Sequence, residues 1–370
     1  MTPTVRRTAL FLTLAFSAGA ASAAQAGPLC DAARAAAPGR PCVESDNGVA
    51  LAFTQDRAAE LLGFAQRGET EFQARFGVAP PRYVVSETGA TGREDRAEAL
   101  RAAGFTVLTP WRLRQAQINA EVGALRTRFE EMGAMNGLSA EQTASAMEGV
   151  LARMRERHTP EAMAANEAGT IPRLLGGAWY ARAFWPDAAP DPASRHASPG
   201  PDWMDEIAGL LMETEAMADD KRGQFADVYA GRHRMAPASD AAKLLDLPAF
   251  LSAEHPVKAM TAQAAAGGGA GGPVRITMGG PGGPGGPGGA QSMPAPMLYG
   301  FQARMFADYL AERSGDPAVF GRLGLALGEG VAFDAWLAAE GASVNLASSV
   351  EALTADWRNW LQGKLGAPAA

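Results

Sequence analysis

From residue 50 onward, short apolar runs alternate with longer stretches of helical period. Ala50 to Phe53 reads as a strand. Thr54 caps a helix over about 56–75 with Ala59, Leu62, Phe64, Ala65 and Phe72 on or near one face, and Gly77 ends it. Pro80 and Pro81 precede a β-type run at 82–86. A helix follows at about 93–103, stopped by Gly104, and Phe105 to Leu108 is a further strand. The pattern predicts an α+β chain, mostly helical, with a small N-terminal sheet.

Residues 113–158 read as a helical hairpin broken at Gly137. Ser139 with Gln142 forms a capping box, and Met147, Val150, Leu151 and Met154 form an apolar stripe. Residues 265–296 are a Gly/Pro tract with almost no side chains to bury, so they are expected to form a flexible insertion, without the Lys a phosphate loop would need. Helical period resumes at Leu298 to Ser314, with Leu298, Phe301, Met305 and Tyr309 on one side and Phe306 and Leu310 beside it. Gly315 ends that helix, and Asp316 and Pro317 open another. Phe333, Trp336 and Leu337 lie on a short helix between Gly330 and Gly341. Ser348 with Glu351 is read as the capping box of a last helix presenting Leu353, Trp357, Trp360 and Leu361.

Composition adds a compartment. Residues 1–26 combine Arg6 and Arg7, an apolar run and small residues at Ala21 to Ala26, the layout of a cleaved export signal. Cleavage near Ala23 or Ala26 predicts a periplasmic or secreted protein without a membrane span. Cys30 and Cys42, the chain's 2 cysteines, are then expected to form one disulfide that closes the segment 27–49. The formal charge of −7 becomes −9 once the signal's two Arg leave, and no basic cluster argues for nucleic acid. Only 4 His are present. His196 and His233 fall in polar stretches, His158 lacks a second His at inverted-motif spacing, and His255 precedes Pro256. All four read as ordinary side chains, so no metal or other cofactor is expected.

Two segments carry a family pattern. One is 171–186, IPRLLGGAWYARAFWP. The other is 201–209, PDWMDEIAG, followed beyond the Gly-rich tract by 299–310, YGFQARMFADYL. In this order, with Pro201, Trp203 and Glu206 spaced as P-x-W-x-x-E, the chain resembles the peptidase MA-like (gluzincin-type) superfamily of zinc metallopeptidases over roughly residues 50–361. The resemblance implies a peptidase-like domain over 50–364. It puts Arg173 and Gly177 at the two His positions of the HExxH helix, Leu174 at the general base and Glu206 at the third ligand. Arg, Leu and Gly cannot bind zinc or activate its water, and no His lies between 159 and 195. The expectation is therefore a degenerate, non-catalytic member. Trp179, Trp203, Glu206 and Tyr299 would line its surviving groove, and a protein or peptide would be its partner. Two other readings stand beside it: a hydrolase of another type using the same groove, and an envelope interaction or assembly protein unrelated to peptidases. Asp205 and Glu206, with Glu213 and Glu215, offer carboxylates for such a hydrolase, but acids at that density on a helix read as a solvated face.

Overall fold

The computed structural model describes residues 27–89, 95–188, 198–232, 244–260 and 294–366. The signal-like residues 1–26, His196, His233 and residues 265–293 of the Gly/Pro tract lie outside these.

Helix α1 (Pro28–Ala36) leads into strand β1 (Cys42–Glu44), and the Cys30–Cys42 disulfide ties the two together. β1 pairs antiparallel with β2 (Gly48–Leu51). Helix α2 (Gln55–Phe76) then crosses to β3 (Tyr83–Thr88), and α3 (Ala97–Ala102) crosses to β4 (Val107–Arg112). β2, β3 and β4 run parallel, in sheet order β1-β2-β3-β4, with Gly48 opposite Tyr83 and Tyr83 opposite Val107. Every residue of β2 and β3 is buried, as a parallel sheet covered on both faces requires. Cys42, Val49, Leu51 and Val84 pack with Ala33, Leu100 and Phe105 on one side. Val43, Ala50, Tyr83 and Val85 face the main helical core on the other. A Cβ on Gly48 would sit 2.2 Å from the Tyr83 ring, so the neighbouring strand needs glycine there.

The main body follows the sheet. It comprises α4 (Arg114–Met135), α5 (Ala140–Arg157), α6 (Pro160–Phe184), α7 (Asp202–Leu210), α8 (Glu215–Tyr229) and α9 (Leu247–Ser252). It continues with α10 (Ala295–Ser314), α11 (Val319–Gly328), α12 (Phe333–Glu340) and α13 (Val350–Leu365). The chain is α+β and mostly helical, as its pattern predicted. Among the described residues no helix is long and apolar enough to cross a membrane.

Several local signals are realised. Thr54 accepts the Arg57 N–H, Gly77 and Gly315 adopt left-handed C-cap geometry, and both halves of the Ser139–Gln142 capping box are present. Others shift. Ser349, not Ser348, caps α13, accepting the Ala352 N–H at 3.2 Å. On α2 the buried positions are Ala58, Leu61, Leu62, Ala65, Phe72 and Phe76, and Ala59 is exposed. Of the expected α5 stripe only Met154 is buried, because α5 packs mainly on α4. α10 is buried on nearly all sides rather than along one stripe, so it runs through the core.

A charged hub joins the sheet to the helices. Glu167 on α6 is buried and takes both ends of the Arg57 guanidinium at 2.7 and 2.9 Å, Trp111 Nε1–H at 2.9 Å and Arg114 Nε–H at 3.0 Å. Arg57 also donates to Glu87 at the end of β3, at 3.1 Å. Burial alone would raise the Glu167 pKa, but the bonds from Arg57, Arg114 and Trp111 outweigh it and hold the carboxyl below its ordinary value.

Candidate functional site

The resemblance puts its key positions on α6 and α7, so the crossing of these two helices decides what they can do. Thr159 caps α6 and Pro160 fills its first turn. Pro172, in the helix interior, has no N–H for the Ala168 carbonyl four residues back. Arg67 on α2 supplies the missing donor: its guanidinium bonds to Ala168 O and, at 3.0 Å, to Met212 O just beyond α7. One side chain thus closes the gap in α6 and satisfies a free carbonyl at the end of α7.

The helices meet through glycine. A Cβ on Gly176 would lie 2.6 Å from the Ala208 carbonyl oxygen and 2.4 Å from Met212 Cγ. A Cβ on Gly209 would lie 3.0 Å from the Arg173 carbonyl oxygen. This close approach lets Arg173 reach two acids at once. Its guanidinium donates to Glu206 Oε1 at 2.6 Å and to Glu213 Oε1 at 2.9 Å, and Lys221 Nζ lies 2.8 Å from the same Glu213 oxygen. Burial works against the Arg173 charge, but Glu206 and Glu213 prevail, so its pKa is raised.

Glu206 has a second neighbour. His255 Nε2 stands 3.9 Å from Glu206 Oε2, and His255 Nδ1 accepts the Val257 N–H at 3.2 Å. In the neutral ring that bond puts the proton on Nε2, so His255 turns an N–H, not a lone pair, toward Glu206. The Tyr299 ring packs edge-on against His255 at 4.7 Å, and a Cβ on Gly300 would come within 3.0 Å of Glu206 Oε1. At the start of α7, Asp202 holds the incoming segment through His255 N–H at 2.7 Å and Lys258 Nζ at 2.5 Å.

Asp205 is the exception in this balanced cluster. It is 2% exposed. Its Oδ2 accepts the Ser198 N–H at 3.2 Å, and its Oδ1 has no partner among the described residues. Burial, with a smaller contribution from Asp202, pushes its carboxyl up to about 7 despite the Ser198 bonds and Lys258. The Tyr180 hydroxyl, also buried and without a partner among the described residues, feels the Asp205 charge, and burial and that charge raise its pKa well above the ordinary value.

Of the sequence-derived positions, Arg173 and Glu206 are in direct contact, Gly177 is buried on the same helix as Arg173, and Leu174 is half-buried. The four groove candidates do not line a common open surface. Trp179 is fully buried against Phe72 and Tyr83, and Trp203 against Phe306 and Phe333. Tyr299 and Glu206 are 4% and 6% exposed and share the His255 neighbourhood. Aromatic residues that could have flanked a groove are core instead, because α6, α7 and α10 are covered by helices on several sides. One further reading changes: Glu213 and Asp205 are buried, not solvated, although Glu215 is exposed. His255 is a buried, hydrogen-bonded side chain with Glu206 before it. The available signal was the setting of Asp202, Asp205 and Glu206 among Trp203, Met204, Ile207 and Ala208: acids inside an apolar run need buried partners.

Zinc does not suit this arrangement. Arg173 and Gly177 offer no ligand atom, Glu206 Oε1 is taken by a guanidinium, and His255 presents its N–H. Among the described residues, no three of His, Cys, Asp and Glu come together as a metal-holding group. No family model, no curated protein and no solved structure matches the chain.

Proposed function

We propose that this chain is an exported, non-catalytic relative of the peptidase MA-like zinc metallopeptidases that acts by binding, with a protein or peptide as its partner. One observation carries the reading. Arg173 and Glu206 are 33 residues apart, and the superfamily layout assigns them to the first and third metal-ligand positions; they pair directly at 2.6 Å. In that layout the guanidinium stands in for the metal as the cation that Glu206 and Glu213 require. The Leu at the base position has no lone pair with which to take a proton from water, so water activation by that residue is lost whatever else binds. Export is supported by the signal-like residues 1–26 and by the Cys30–Cys42 disulfide, a bond that persists in oxidising compartments.

A hydrolase of another type would need a nucleophile and base open to substrate. Glu206, His255 and Tyr299 are closed off by the surrounding helices.

Metal analysis and peptidase assay test the reading together. After incubation with zinc and desalting, the mature chain is expected to carry no stoichiometric metal and to show no chelator-sensitive peptide hydrolysis. About one zinc per chain, with hydrolysis abolished by Glu206→Ala, is the outcome that refutes it.

A further inference from the structure

Asn47 and Asn136 are the asparagines of this chain that precede a glycine. An asparagine–glycine pair is open to self-modification. Glycine has no side chain to shield its backbone nitrogen and turns freely about φ and ψ, so that nitrogen can reach the asparagine side-chain carbonyl. The fold treats the two pairs differently.

Asn47 lies in the turn between β1 and β2. Gly48 is buried and donates its N–H to Ser45 Oγ at 3.1 Å, and its carbonyl accepts the Ser45 N–H at 2.8 Å. The Asn47 carbonyl accepts the Tyr83 N–H at 3.1 Å, and Gly48 lies close against the Tyr83 ring. Bringing the Gly48 nitrogen onto the Asn47 side chain would break these bonds and part β2 from β3.

Asn136 caps the C-terminal end of α4, and Gly137 behind it is left-handed at φ 65°. Residues 134–142 are all exposed. The Gly137 N–H reaches the Ala134 carbonyl only at 3.4 Å. The Leu138 N–H bonds to Gly133 O at 2.9 Å, and Asn136 Nδ2 to Met132 O at 2.8 Å. Met135 and Leu138 beside the pair are 78% and 45% exposed, so no core holds this turn. Opening it breaks a few hydrogen bonds at an exposed helix end, the kind of local opening that costs least.

We propose that Asn136 is a site of spontaneous deamidation in this chain, and that the sheet protects Asn47 from the same reaction. The Gly137 nitrogen attacks Asn136 Cγ, its proton passes to solvent and ammonia leaves, closing a succinimide. Water then adds to either ring carbonyl and the ring opens to aspartate or isoaspartate, with nothing oxidised or reduced. The new carboxylate stands at the negative end of the α4 dipole. The stretch 129–152 around it holds Glu130, Glu131, Glu141 and Glu148 and no basic residue. Dipole and neighbours both oppose the added charge, so the reaction loosens the hairpin tip. The inference does not depend on how α6 and α7 are read.

The test is peptide mapping by mass spectrometry. The whole mature chain is incubated in mildly alkaline buffer at physiological temperature, folded and in parallel unfolded in urea, until the unfolded chain is half converted. After reduction and trypsin digestion, Asn136 falls in the peptide 129–153 and Asn47 in 35–57, each the sole asparagine of its peptide. In the folded chain, 129–153 is expected to gain the mass of an amide-to-acid change at least about tenfold faster than 35–57. In urea the two are expected to convert at comparable rates. Asn136→Gln, whose longer side chain closes the ring poorly, is expected to leave 129–153 unconverted. The proposal fails if folded Asn136 stays unconverted, if folded Asn47 converts as fast as Asn136, or if the Asn136→Gln peptide gains the same mass.

Discussion

Glu167→Ala is expected to remove about 3–5 kcal/mol of stability, the scale measured when one partner of a buried ion pair is deleted. Glu167 answers Arg57 through two bonds, Arg114 and Trp111, and its loss leaves a guanidinium that is 10% exposed facing an apolar gap. Glu60 and Glu87 remain for Arg57, which keeps the loss from going higher. Glu167→Gln keeps the shape but not the charge and should fall between. Equilibrium urea unfolding reads both. A loss below about 1 kcal/mol for the alanine variant would mean that the hub is a surface-like pair, not the joint between sheet and helices. The pH dependence has a defined sign. The folded pKa of Glu167 is below its ordinary value of 4.5, so its stabilisation is complete above that value and is lost as pH falls through the folded pKa.

Asp205 works in the opposite direction. Its folded pKa of about 7 lies above the ordinary 3.8, so the folded state holds the proton that the unfolded chain releases. Its penalty is absent below about pH 4, grows as pH rises to about 7 and stays constant above. At about 1.4 kcal/mol per unit, the upper bound is about 4 kcal/mol. Asp205→Asn removes the charge while keeping an acceptor for the Ser198 N–H. The variant is expected to be more stable than wild type by about 2–4 kcal/mol at pH 8 and to converge with it near pH 4. Thermal melts of both chains across that range give the difference curve, in which Glu167, Asp308 and the other acids cancel. Parallel curves would show that Asp205 finds a partner for its charge and does not carry the penalty.

What the chain disclosed in advance was mostly local. A cap such as Thr54, a left-handed stop such as Gly77 or Gly315 and the Ser139–Gln142 box act within a few residues, so the one-dimensional pattern contains them. Elements held by distant partners were harder. α1 and β1 depend on the disulfide and on the second face of the sheet. β4 runs on through Pro110 to Arg112, which the pattern ended at Leu108; proline is tolerated there because β4 is an edge strand. α6 continues through Pro172 because Arg67, more than a hundred residues earlier, supplies the lost donor. The candidate site divides in the same way. Arg173 and Glu206 were legible through a spacing pattern. Glu213, Lys221 and His255 were not, since their roles come from how α7, α8 and the segment before Pro256 fold back onto that pair.

We propose that α6 and α7 keep the geometry of a metal-ligand pair from which the ligands have been lost. Putting them back tests it. The combined variant Arg173→His, Leu174→Glu, Gly177→His restores two imidazoles four residues apart and the base between them, with Glu206 untouched and freed from its guanidinium. Gly177 is buried, so the measurement is made on a chain that still melts cooperatively. Zinc per chain, determined by elemental analysis after desalting, is expected to rise from none to about one and to be lost again when Glu206→Ala is added. A cooperatively folded triple variant that binds no more zinc than wild type would contradict the account.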